Sequence, residues 1–235
     1  INGLEAIKKC DVVYLENYTS VLNCKKKDLE RFYGKKIVLA RRSLVEADDN
    51  EIIENAKSKD VAFLVSGDPL VATTHIDLFL RARKEEIKCH ILHNASIVSA
   101  VGVTGLQVYK FGKTASIPLE NENIESPYDA LKGNLSLGLH TLLLLDLNPE
   151  EEKFLSVNDA IRYLLKVELK RNEKVFSEKI LCVGCARLGS ENQIIKAGSA
   201  KDLLKHSFGK PVHCLIVPGK LHFMEEEGLN LNMTL

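Results

Sequence analysis

No apolar run in this 235-residue chain approaches the ~20 residues that a membrane-spanning helix needs, so a soluble protein with no membrane partner is expected. Net charge is missing as well. Lys plus Arg and Asp plus Glu each number 32, which removes any global attraction to nucleic acid or anionic lipid. The local exception, Lys25-Lys26-Lys27, reads as a solvated loop ahead of a helix. Equally absent are G-x-x-x-x-G-K-[ST], G-x-S-x-G, H-E-x-x-H and G-x-G-x-x-G. Their absence disfavours the common kinase, hydrolase and metalloprotease designs, and no metal ligand set is expected. There is no internal repeat and no low-complexity tract. The six cysteines follow no paired framework, and most sit inside apolar stretches, which suits buried thiols in a reducing, cytoplasmic compartment. Cys182 and Cys185 do form a C-x-x-C. It lies in a strand-like run, where residues three apart point to opposite faces, which disfavours a redox pair or zinc site.

What is present is alternation between strands and helices. Strand-length apolar bursts fall at Val12 to Leu15, Ile37 to Ala40, Val61 to Val65 and His90 to Leu92. Helix-like stretches intervene, one carrying Leu29 and Phe32, one Ile52, Ile53 and Ala56, and one Ile76, Leu78, Phe79, Leu80 and Ala82 at helical spacing. Near-continuous apolar strands separated by helices predict a mainly parallel sheet covered on both faces, and residues 1–112 read as one α/β lobe. From Lys113 the connections lengthen and become more polar around Thr141 to Leu145, Ile180 to Ala186 and Val212 to Val217. A second α/β lobe over 113–235 is expected, with helices around Ala130 and Leu131, over Val157 to Leu169, and over Ala200 to Lys205. Ser156 followed by Asp159 resembles an N-cap. The chain opens at Ile1 in what already reads as a helix, so a preceding strand and loop are expected to be missing.

Two stretches have the form of a ligand site. Val61 to Val65 is a buried-type strand ending in Ser66-Gly67-Asp68-Pro69, and ligands of open α/β sheets bind beyond the carboxyl ends of strands. Gly67 permits close backbone approach, and Asp68 can accept hydrogen bonds from a ribose or an amine. Asp68 serves equally well as the cap of a helix beginning near Pro69. The second stretch, Ile91 through Ala100, turns from strand to helix through small residues that suit either a flat ligand or tight packing. His93 within it reads as a hydrogen-bonded structural histidine or as an acid-base group. In the second half, the strand ends at Leu144 to Leu147, Ala186 to Gly189 and Pro211 to Cys214 are each either core or ligand contacts.

Five ordered blocks carry a resemblance. They are Gly3 to Ile7 with Val13 to Ser20; Phe63 to His75; His93 to Gln107; Gly138 to Asp146; and Leu181 to Gly189 with Gly209 to His222. Together they resemble the diphthine synthase family, within the tetrapyrrole-methylase-like group of methyltransferases. The resemblance implies two α/β lobes with S-adenosylmethionine in the cleft between them, S-adenosylhomocysteine as product, and a homodimer. Asp68, Val71, Ser96 and Ile97 are the implied cofactor contacts of the first lobe, and Leu145, Leu188 and His213 those of the second. The implied substrate is translation elongation factor 2, at a histidine bearing a 3-amino-3-carboxypropyl group. Its amine is methylated, and in eukaryotic relatives its carboxylate too. No obligatory general base is implied, and His93 and His140 stand as candidates. The sequence departs from the family at Val71, where a small residue is usual, at Asn121 to Ile124, which lacks aromatics, and at the shorter segment Asn148 to Ser156. The family's glycine-rich first strand and loop are also absent. The competing readings are a methyltransferase of the same fold acting on a tetrapyrrole or ribosomal RNA, and a non-catalytic binding module.

Overall fold

Successive side chains of a strand point to opposite faces, and in β1 (Val12–Glu16) both faces are buried. Val13 and Leu15 pack with Ile7 and Ile37 on one side, while Tyr14 packs with Ile52, Ile53, Leu78 and Ala82 on the other. A strand of that kind belongs in the middle of a covered parallel sheet. The computed structural model places it there, flanked in parallel by β2 (Ile37–Ala40) and β3 (Val61–Leu64). Residues 2–19, 21–22, 24–47 and 49–231 are described, so Ile1, named above as the start of a helix, and Ser20 of the first block lie outside the described residues. The helices around this sheet are α1 (Asn2–Lys9), α2 (Lys26–Tyr33), α3 (Arg42–Val45), α4 (Glu51–Ala56) and α5 (Ile76–Lys84). Lys25 occupies the N-cap position of α2, which begins within the lysine triplet.

The chain divides into two compact units, one ending at Ile97 and the other starting at Val98. The expected boundary at 112/113 falls inside the second unit, beyond α6 (Ile97–Ala100) and two single-turn helices at Val101–Thr104 and Val108–Lys110. The second unit holds a five-stranded mixed sheet. Its strands are β4 (Ala115–Ile117), β5 (Thr141–Leu145), β8 (Leu181–Ala186), β9 (Ile194–Ser199) and β10 (His213–Val217), in the order β4-β5-β10-β8-β9. Only β4 and β5 are parallel, and β10 runs antiparallel to both of its neighbours. The remaining elements are α7 (Ser126–Ser136), the small pair β6 (Leu147–Asn148) and β7 (Lys153–Phe154), α8 (Val157–Arg171), α9 (Ala200–Leu203) and α10 (Phe223–Asn230).

Helix α8 shows why these residues take this form. Val157, Ala160, Ile161 and Leu164 recur at helical spacing and are fully buried. Ser156 accepts from the Asp159 N–H while Asp159 accepts from the Ser156 N–H, a reciprocal capping box. Burial opposes ionisation of Asp159, but the bonds from Ser156 and the charge of Arg162 outweigh it and hold the carboxyl below its usual range. The helix stops where Asn172 adopts the left-handed conformation (φ 52°), a geometry that asparagine tolerates better than most residues.

Two expectations are corrected. His90 to Leu92 is no strand: Ile87, Cys89 and Ile91 alternate inwards as a strand would, but no hydrogen-bonded neighbour among the described residues completes a ladder. The helix expected near Pro69 begins instead at Ile76, after a run of turns.

Gly184, in the middle of β8, would place a Cβ 2.3 Å from the Phe208 ring and 2.9 Å from a Val157 methyl. The bare backbone is what admits that ring. Gly184→Ala should therefore cost about 1–3 kcal/mol through overpacking and lower the midpoint of thermal unfolding by several degrees in calorimetry. An unchanged midpoint would mean that Phe208 repacks freely.

Candidate functional site

In the first unit, the turn after β3 and the segment leading into α6 meet. Gly67 sits at φ 101°, open to glycine and strained for other residues, and a Cβ there would lie 3.6 Å from the Ala95 carbonyl oxygen. Asp68 ties the two segments together. One carboxylate oxygen accepts the Leu70 N–H at 2.9 Å, and the other accepts the Asn94 N–H at 3.2 Å and lies 2.8 Å from His93 Nδ1. The Leu70 N–H bond holds the Asp68 carboxyl below its usual value against the effect of desolvation, and the bonds from His93 and Asn94 add to it. Facing an ionised acceptor, His93 Nδ1 must carry the proton. Asp68 is therefore both the cap of a turn and a long-range tether.

Of the other expected contacts in this unit, Val71 is exposed and precedes Ala72, a non-glycine residue at φ 58°, while Ser96 and Ile97 mark the entry to α6. Asp68, Ser96 and Ile97 are thus carried by two adjoining segments, with Val71 three residues beyond Asp68. His93 is largely exposed and, with Asn2, Gly3, Leu4, Ile91, Leu92 and Asn94, lines a cavity of about 640 Å³.

A neighbouring cluster received no role from the sequence. At the carboxyl end of β1, buried Glu16 accepts the N–H groups of Tyr18 and Thr19, and the Tyr18 hydroxyl lies 3.1 Å from His75 Nε2. Burial, reinforced by Glu16, pushes the Tyr18 hydroxyl up to about 12, and burial pulls the His75 imidazole down. Its one sequence signal was membership of the matching blocks.

In the second unit, Leu145 ends β5, Leu188 follows β8 and His213 begins β10. Because β10 is antiparallel to both neighbours, all three lie at the same end of the sheet, with His213 directly opposite Ala186. The His213 ring donates from Nε2 to the Lys210 carbonyl at 2.9 Å, and burial lowers its basicity. The adjacent loops are held by Arg187, whose buried guanidinium donates to the carbonyls of Asn192, Phe208 and Lys210. That clasp was not legible, because its acceptors are backbone groups that any sequence supplies.

His140, a candidate proton-transfer group on sequence, is fully buried with both ring nitrogens engaged. Nδ1 accepts the Gly219 N–H at 2.9 Å and Nε2 donates to Glu225 at 2.8 Å. Glu225 also accepts from Gln107, His222 and Lys110, and these bonds overcome its desolvation and pull its carboxyl down to about 2. His140 is an anchor for α10, with no lone pair left for substrate. Cys182 and Cys185 are both buried in β8, Cys185 lies opposite Cys214, and burial raises the Cys182 thiol. Among the described residues no three His, Cys, Asp or Glu side chains group as metal ligands, and no helix is long and apolar enough to cross a membrane.

Comparison with known proteins gives a consistent picture. Residues 1–204 match the family model described as tetrapyrrole (corrin/porphyrin) methylases. A diphthine synthase of Methanococcus vannielii is 47% identical over 97% of this chain and 91% of its own length. One from Methanosarcina mazei is 50% identical over 97% of this chain and 88% of its own length. A crystal structure of diphthine synthase superposes with a TM-score of 0.90 at 40% identity, covering 99% of this chain and 89% of the other.

The buried His140–Glu225 pair makes stability depend on pH. Burial depresses His140 below its usual 6.5, so its contribution is complete above that value and declines as pH falls. Glu225, depressed from 4.5 to about 2, adds a second loss as pH falls from about 4.5 towards 2. Thermal midpoints measured from pH 8 to pH 3 should fall in both windows, and Glu225→Gln should flatten the lower one. An undiminished acid loss in that variant would place its origin elsewhere.

Proposed function

The chain belongs to the tetrapyrrole methylase family and, within it, to the diphthine synthases, and on that premise we propose that it is an S-adenosylmethionine-dependent methyltransferase of diphthamide biosynthesis. Its substrate on this reading is the 3-amino-3-carboxypropyl-histidine of translation elongation factor 2. The observation that carries the reading is identity of 47–50% over nearly the whole chain to relatives of that name, rather than a match confined to one motif. The same relatives favour this substrate over a tetrapyrrole or ribosomal RNA, and balanced charge weighs further against RNA.

When bound, S-adenosylmethionine supplies a methyl group on a sulfonium sulfur and leaves as S-adenosylhomocysteine. The residues present suit such a group. Gly67 exposes backbone at the end of a parallel strand, where α/β sheets bind nucleotide-like ligands. Asp68 retains unused acceptor capacity for a ribose or amine, since a carboxylate has about four lone-pair sites and three are engaged. Val71, Ser96 and Ile97 add apolar and backbone surface. Leu145, Leu188 and His213 are assigned to the cofactor by the same family resemblance, as are the homodimer and the cytoplasmic location. The protein's contribution to the reaction is alignment of nucleophile and methyl group together with controlled solvation.

Incubation of the protein with labelled S-adenosylmethionine and elongation factor 2 carrying the unmethylated intermediate should place label on the factor, and its absence would overturn the reading. Within the site, Asp68→Ala should weaken S-adenosylhomocysteine binding in calorimetry by tenfold or more, a loss of at least ~1.4 kcal/mol. The accompanying loss of folding stability should be smaller. Equal losses would leave Asp68 as a turn cap alone.

A further inference from the structure

We propose that His93, oriented by Asp68, is the group that takes the proton from the substrate amine before each methyl transfer to nitrogen. The proposal rests on the reading above and deepens it at one point of chemistry. An ammonium has no lone pair, so an amine nucleophile must lose a proton for every methyl it accepts, whereas a carboxylate attacks as it stands. A positioned acceptor is therefore needed for one of the two substrate groups and not for the other.

Seven histidines are present, and among the described residues two pair with a carboxylate, His93 with Asp68 and His140 with Glu225. His140 is fully buried with both nitrogens bonded. His75 is buried against Tyr18, and His213 gives its Nε2 proton to the Lys210 carbonyl. His93 differs in the property that matters: its side chain is 71% exposed while the Asp68 carboxylate behind it is 6% exposed. With Nδ1–H committed to that carboxylate, the Nε2 lone pair is the basic site left on an outward-facing ring. A buried carboxylate fixing the tautomer and stabilising the imidazolium is the arrangement that proton-accepting histidines use. The pair also sits beside the two segments that carry Asp68, Ser96 and Ile97, so the same carboxylate links the cofactor contacts of this unit to the proton acceptor. Among the described residues, Asp68 is the charged group bonded to the ring.

The step balances. An N–H bond of the substrate ammonium breaks, the proton forms an N–H bond at His93 Nε2, and the electron pair stays on the amine. Once the methyl is transferred, the imidazolium returns the proton to solvent through its exposed face.

His93→Asn is the informative variant, because the asparagine amide can still donate to Asp68 but offers no basic nitrogen. Its thermal midpoint should stay within about 2 °C of the parent protein's, and its Kd for S-adenosylhomocysteine within about twofold. Its kcat for amine methylation of elongation factor 2 at pH 7 should fall on the order of 10²–10⁴-fold, and the deficit should shrink as pH rises and the substrate amine deprotonates unaided. An undiminished kcat, or a deficit equal at every pH, would overturn the role. Independently of activity, ¹⁵N NMR of the histidine rings should find the Nδ1–H tautomer at His93 in the parent chain and its loss in Asp68→Ala; an Nε2–H tautomer in the parent would overturn the proposal. If the parent chain transfers no label to the factor, the substrate reading and the role fall together. The NMR result then still reports whether the Asp68–His93 pair exists.

Discussion

The Asp68 carboxylate makes the interactions on which the first unit's candidate site depends. Three groups from two segments converge on it: the Leu70 N–H from its own turn, and the Asn94 N–H and His93 ring from a segment 25 residues later. The sheet alone does not bring these segments together, since the later one forms no ladder among the described residues. A buried carboxylate left without donors is costly, and here backbone and imidazole N–H groups supply them. The arrangement restrains the turn, sets the ring's tautomer and places Val71, Ser96 and Ile97 relative to the carboxylate.

The second unit follows the same rule with the signs changed. Arg187 is buried and satisfied by three carbonyl groups, which fixes the loops beside Leu188 and His213. Glu225 is buried and satisfied by Lys110, His140 and two backbone N–H groups, which anchors α10. Each charge is buried outside the strands, Arg187 just after β8 and Glu225 in the first turn of α10. Hydrophobic packing, as at Gly184 and Phe208, builds the layers, and these polar clasps set the direction in which the loops leave them.

Much of the framework could be read from the amino-acid order because its signals are local. Continuous apolar runs marked β1, β2 and β5, helical spacing marked α5 and α8, and the Ser156–Asp159 pair marked the start of α8. β9 escaped notice because Ile194-Ile195-Lys196-Ala197-Gly198-Ser199 mixes charge and glycine into an edge strand that is only partly buried. His90 to Leu92 was read as a strand because it has the right pattern, but a strand also needs a neighbour. At the site, the Gly67-Asp68 turn stood out through its place after a buried strand. Whether Asp68 caps a helix or binds a ligand is undecidable locally; the structure shows it capping a turn and tethering the His93-Asn94 segment. His140 looked like a free candidate because its partner Glu225 lies 85 residues away. Pairings of that separation are set by the fold and leave no mark on spacing.

The reading of both units meets in one measurement: addition of S-adenosylhomocysteine to the isotopically labelled protein, followed through every backbone amide by NMR. The account predicts that shift changes concentrate at Gly67 to Val71, at Asn94 to Ile97, and around Leu145, Leu188 and His213. Changes centred on other surfaces, or none at saturating ligand, would contradict it.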